Sequence, residues 1–156
     1  MKELALKQFE QFYRMFTCMV NDYDDEAWYT MGHKKTTAYI LAFHIIDSTK
    51  FYLRDDSAFE LENGETITVE GPVPAQKISR ADILKNITLQ KAAMEKWIHE
   101  IDFKAPQTEF PWTGPDMESV VIFIIRHNTF HLGEFNALLN EYKKGDAKDN
   151  FGDNIY

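Results

Sequence analysis

Apolar residues recur at helical spacing in four stretches of this chain. Over residues 3–21, Phe9, Phe12, Tyr13, Phe16, Met19 and Val20 fall on one stripe. Over residues 36–54, Thr37, Ile40, Leu41, His44, Ser48 and Phe51 crowd one side of a second helix. A third helix opens at Ser79-Arg80-Ala81-Asp82, a capping box in which Asp stands where Glu is commoner. Its stripe runs through Ile83, Ile87, Met94, Trp97, Ile98 and Ile101. The fourth begins near Asp116, a carboxylate suited to a helix N-terminus, and its run from Val120 to Ile125 reads as core. It stops at Lys143-Lys144-Gly145, cations followed by glycine. Four long amphipathic helices must bury their stripes against one another. The expected fold class is therefore all-α, a four-helix bundle.

The connections are less regular. Residues 55–78 are long for a bundle loop, and within FELENGETITV the Asn63-Gly64 pair between short alternating runs signals a hairpin. Residues 103–115 hold Pro106, Pro111 and Pro115 and cannot be helical throughout. The expected organisation is a bundle over residues 1–145 and a polar, fraying tail over 146–156, with Phe151 and Tyr156 able to dock.

At 156 residues the chain fits one domain with a proper core. The formal charge of −8 repels nucleic acid and anionic lipid, and the largest basic clusters are pairs such as Lys34-Lys35. No nucleic-acid partner is expected. The longest apolar run, the six residues from Val120 to Ile125, falls far short of the ~20 that span a bilayer, so no membrane segment is expected either. The first residues carry Glu3 and Glu10 and lack an apolar secretory core, and Cys18 is the only cysteine. A reducing cytoplasm is the expected location.

His127 and His131 lie four apart on the fourth helix, offset by about 40° and about 6 Å along its axis. Two imidazoles on a greasy face need partners for their ring nitrogens. They could converge on one ion, or be two structural histidines bonded to buried groups. His44, among Tyr39-Ile40-Leu41-Ala42-Phe43 and Ile45-Ile46, is open to the same two readings. Together the three form a ligand set for Zn²⁺, Ni²⁺ or Fe²⁺. His33, following Gly32, and His99, off the third helix's stripe, read as solvated.

AYILAFHIIDSTKFYL on the second helix and FIIRHNTFHLGEFNALL on the last resemble the DinB/YfiT-like superfamily of metalloenzymes. The resemblance covers nearly the whole chain, including the helix count, the long connection after the second helix and the terminal HxxxHxGE helix. It implies an up-down-down-up order of helices, and a divalent metal bound by one histidine of the second helix and two of the last. Here these are His44, His127 and His131. It implies a homodimer as well, since many members pair. Characterised members are thiol S-transferases using bacillithiol, mycothiol or glutathione, and a maleylpyruvate isomerase. The leading expectation is thus a metal-dependent transfer of a low-molecular-weight thiol to an electrophilic small-molecule substrate. One departure is Glu134, where Gln is common in the family.

Three neutral imidazoles leave at least one coordination position open, the mark of a catalytic site. Such a metal would activate a water or hold a thiol as thiolate. Cys18 lies off the histidine stripes and reads as a packing residue, so the thiol would come from outside. Asp47, three after His44, and Glu134, three after His131, could contact the metal shell or accept protons, or else be solvated or ion-paired. Trp112, in EFPWTGP, could roof the substrate pocket or cap the core; Trp28 and Tyr29, in the loop after the first helix, carry the same ambiguity. Arg126 points about 100° away from His127. Two other functions fit: a metal-dependent hydrolase, and a non-catalytic metal-binding stress-response dimer in which metal clamps the second and fourth helices.

Overall fold

A computed structural model describes residues 1–67, 73–74 and 76–152. Thr68 and Val69 of the hairpin motif and Tyr156 of the tail lie outside them. The long helices are α1 (Lys2–Asp22), α3 (Ala38–Leu53), α4 (Arg80–Glu100) and α5 (Met117–Tyr142), and a short α2 (Asp25–Tyr29) follows α1. No helix is long and apolar enough to cross a membrane, among the described residues.

All six stripe residues of α1 are buried. They meet α5 through ring contacts such as Phe16–Phe135, edge to face at 5.8 Å. Each such fully buried ring contributes roughly 1.5–3 kcal/mol. The short α2 has too few residues to show a period, and its signal is local. Asp24 caps it by accepting from the Ala27 amide at 2.7 Å, with Asp25 and Glu26 in its first turn. α2 puts Trp28 into the core, where its indole N–H donates to the Ile78 carbonyl at 2.8 Å. Trp28 and, more loosely, Tyr29 therefore tie α2 to the entrance of α4. They are packing residues.

The direction of each helix follows from what meets what. Lys2 donates to the His99 carbonyl, while Arg80 donates to that of Tyr23, so α1 and α4 are antiparallel. His44 faces His131 and Tyr52 faces Phe123, so α3 and α5 are antiparallel as well. Gln8 to Met15 share a groove with Ile125 and Thr129, and Tyr23 donates to the Phe135 carbonyl; α1 and α5 run together. α3 and α4 therefore point the same way. A chain leaving α3 must travel back its whole length, about 24 Å for 16 residues, before α4 can start. That return is what the long connection accomplishes. It carries strands β1 (Phe59–Glu60) and β2 (Thr66–Ile67), antiparallel with Phe59 opposite Ile67. Gly64, at φ 88°, makes the turn between them. The Ser79–Asp82 capping box then starts α4 with both of its reciprocal bonds present.

Two burial patterns depart from the sequence reading. In α3 the side read as the stripe is its less buried flank: Phe51 is 47% exposed, whereas Ala42, Phe43, Ile45 and Ile46 are fully enclosed. The helix is apolar nearly all round because it packs against α4, α5 and the hairpin, where Phe43 meets Phe59 at 5.2 Å. In α5 the run from Val120 to Ile125 is not all core either. Val120, Val121 and Ile124 are buried, and Ile122 is 50% exposed. α5 ends as expected, with Lys144 and Gly145 in left-handed backbone and the Gly145 amide closing onto the Asn140 carbonyl. The described part of the tail is not frayed: Lys148 and the buried Asn150 both bond Asp22 at the end of α1. Phe151 is mostly exposed but flanks the α1–α5 groove.

Candidate metal centre

The antiparallel α3 and α5 bring His44 against His127 and His131 midway along their interface. The ring centroids of His44 lie 5.5 Å from His127 and 4.6 Å from His131, and the α5 pair is 4.4 Å apart. One nitrogen of each imidazole falls within 4.8 Å of the others, and all three rings are half-buried. His44 Nε2 and His131 Nε2 stand 3.2 Å apart. Two bare lone pairs at that distance repel unless a proton or a cation lies between them. A tetrahedral cation with ~2.0–2.1 Å bonds to nitrogen wants its ligands ~3.3 Å apart, so the His44–His131 pair has the spacing of ligands to a small divalent ion, with His127 close enough to be the third.

The outer nitrogens support this orientation. His131 Nδ1 lies 2.8 Å from Glu134 Oε2. An ionised carboxylate only accepts, so Nδ1 carries the proton and Nε2 turns its lone pair inward. His127 Nδ1 faces Asn128 Oδ1 at 3.3 Å, a long contact with the same consequence. Which way the Asn128 amide points follows from Thr49. Its hydroxyl donates to the Ile45 carbonyl at 2.8 Å and so accepts from Asn128 Nδ2 at 2.9 Å, leaving Oδ1 for the histidine. Phe123 stacks on His127, with centroids 5.9 Å apart and planes at 21°.

Burial pulls the pKa of His44 down, and the neighbouring His131 and His127 add to this. Burial also lowers His127, against the opposing pull of its Asn128 bond. Both shifts favour the neutral imidazoles that metal binding needs. Glu134 goes the other way from a buried acid. Burial would raise it, but hydrogen bonds from Lys34 and His131 outweigh that and hold it below the ordinary carboxyl range. A carboxylate so stabilised is a poor proton acceptor and a good orienting group.

The other residues singled out from sequence fall as follows. Asp47 sits one turn from His44 but over an open cavity of about 490 Å³ with Lys50, Asp55 and Asp56. Burial raises its carboxyl, countered in part by Lys50. Trp112 is 56% exposed and touches the cluster only at one remove: its indole donates to the Tyr52 hydroxyl at 3.1 Å, and the Tyr52 ring lies 6.4 Å from His127. His33 binds Glu141 at 2.5 Å, and His99 is exposed in the last turn of α4; neither approaches the three imidazoles. Arg126 lies over the Phe123 ring, outside the cluster. Asn128, Thr49, Phe123 and Lys34 belong to the site's surroundings and were not singled out from sequence. Asn128, next to a histidine on an apolar helix, was the one such residue with a local signal.

No curated protein and no solved structure matches the chain. A family model does, over residues 8–135, more than half of the chain and inclusive of all three clustered histidines. The mainly helical architecture agrees with that match, and on it the chain belongs to the DinB superfamily.

Proposed function

We propose that His44, His127 and His131 hold a divalent metal, zinc or nickel before iron, and that the protein uses it to transfer a low-molecular-weight thiol to an electrophilic small molecule. The observation that carries the metal reading is the inward convergence of the imidazoles, with the Nδ1 atoms of His127 and His131 already engaged by oxygen acceptors. Bound by three neutral imidazoles, the ion supplies Lewis acidity that stabilises a thiol's anion near neutral pH.

The chain's own residues do the rest. Glu134 holds His131, and Asn128 holds His127, so the set is preorganised before anything binds. Glu134, paired to Lys34 and His131, orients His131. Cys18 is on α1, away from the interface of α3 and α5, so the sulfur comes from an exogenous thiol. In the transfer, a sulfur lone pair forms the new bond to the electrophilic atom. The thiol's proton goes to solvent, and the displaced electron pair leaves with a leaving group or is protonated. The bond from Trp112 to Tyr52, whose ring lies 6.4 Å from His127, supports a reading in which an apolar substrate body approaches from that side. The family's habit of pairing, and the exposed Ile122 and Phe130 on the outer face of α5, support a homodimer formed by helix faces. Monomeric behaviour in light scattering at micromolar concentration would count against the dimer alone.

Metal analysis of protein purified without a His tag comes first, followed by a screen of electrophiles with and without added thiol. Product formed only with thiol is the expected result. Product without thiol would mean hydrolysis. Tight metal with no turnover would mean a binding protein.

A further inference from the structure

The loop between α2 and α3 is fastened to α5 at three points. Gly32 lies so close that a Cβ built there would be 2.4 Å from Leu138 Cδ2. The backbone amide and ring of His33 both bond Glu141, the amide at 3.2 Å. Lys34 Nζ meets Glu134 Oε1. Glu134 and Glu141 are two turns apart on one face, so neighbouring loop residues engage successive carboxylates of the same helix. A tight turn, with Lys35 N on the Gly32 carbonyl at 3.0 Å and Lys35 at φ 56°, fixes where Lys34 projects.

We propose that Lys34 is a positioning residue for the imidazole cluster: by occupying Glu134 Oε1 it keeps Oε2 on His131 Nδ1, and so keeps the His131 Nε2 lone pair turned inward. The geometry makes this a chain of three groups from two separate elements, Lys34–Glu134–His131. Without the lysine, Glu134 is a flexible side chain, 19% exposed beside a cavity of about 280 Å³, and among the described residues has no second anchor for its other oxygen. It can then swing toward water, and His131 loses the acceptor that selects its tautomer. Lys34 itself is 51% exposed, so its removal disturbs little packing. The affinity consequence rests on the metal reading of the three histidines; the tautomer consequence does not.

The test has two arms. In metal-free protein, long-range ¹H–¹⁵N correlation spectra report which ring nitrogen of His131 carries the proton. The wild type is expected as the Nδ1–H form, and Lys34→Met and Lys34→Gln as mixtures with a raised Nε2–H share. In the second arm, zinc affinity is measured by competition with a chromophoric chelator. The methionine variant should bind about 10- to 100-fold more weakly, as is typical when a group behind a histidine ligand is removed. Lys34→Arg should recover most of the loss, and Lys35→Met, with the same change of net charge, should resemble wild type. An unchanged His131 tautomer in both neutral variants overturns the proposal, as does an equal loss of affinity in Lys35→Met. If the wild type binds no zinc, the metal reading fails, and the tautomer arm still decides the role of Lys34.

Discussion

Replacing Asn128 by Leu separates the site from the fold. Asn128 is 1% exposed, accepts from His127 and donates to Thr49. Leucine is close to it in shape and removes both bonds at once. The Thr49 hydroxyl keeps its donor bond to Ile45, and the half-buried His127, whose Nδ1–H loses its acceptor, can move that proton to its other ring nitrogen. Two lost hydrogen bonds of about 1 kcal/mol each are set against the gain from burying an aliphatic group in place of an amide, of similar size. Folding stability of the metal-free protein should therefore change by less than about 1.5 kcal/mol. Metal affinity should respond quite differently. His127 loses the acceptor that holds Nδ1–H, and a loss of about 10- to 100-fold, or about 1.4–2.7 kcal/mol, is expected. Urea denaturation with chelator present gives the first number, and zinc competition the second. An unchanged zinc affinity would refute the idea that Asn128 orients His127. A stability loss large enough to account for weakened binding would refute the separation of site from fold.

Single His44→Ala, His127→Ala and His131→Ala changes should each sharply reduce zinc per folded chain, while His33→Ala and His99→Ala should leave it nearly intact. Equal losses in the controls would place the metal elsewhere. For pH, His44 and His127 titrate lower in the folded protein than the ~6.5 of an unfolded chain, so below that value the unfolded state binds more protons. Their contribution to the metal-free fold is thus present above the unfolded value of about 6.5 and lost as pH falls from there through the depressed folded values; denaturation midpoints should drop over that window. A His44→Ala/His127→Ala variant should lose part of that slope, and an unaltered slope would remove the histidines as its cause. Gly32→Ala should push the loop off α5 at Leu138, destabilising by about 1–3 kcal/mol by overpacking. An unchanged melting curve would mean that Leu138 yields freely.

How much of this was legible beforehand depended on the range of the interaction. The stripe of α1, the Ser79 capping box, the Asn63-Gly64 turn and the Lys-Gly ending of α5 are all local, and each stands where the pattern put it. The facing of α3 did not follow. A helix apolar on nearly every side offers no stripe, and only its neighbours decide which flank is least covered. The short α2 escaped because five residues contain little more than one turn. The tail looked polar and free, yet Asn150 finds Asp22 across most of the sequence.

The same distinction runs through the site itself. The two α5 histidines announce themselves by their spacing, because four residues along a helix is a fixed displacement in space. His44 joins them only through an antiparallel packing that no spacing encodes. Glu134 could be placed near His131 but not given a role, since an exposed ion pair and a histidine's anchor look alike in sequence. What separates them is Lys34, which comes from a loop whose path is set by a glycine against Leu138 and by His33 on Glu141. The three imidazoles are thus carried by two helices, and on the proposal above the orientation of His131 is set from a loop. Substitutions in that loop should alter how tightly the site holds a cation while leaving the bundle, and the three histidines themselves, in place.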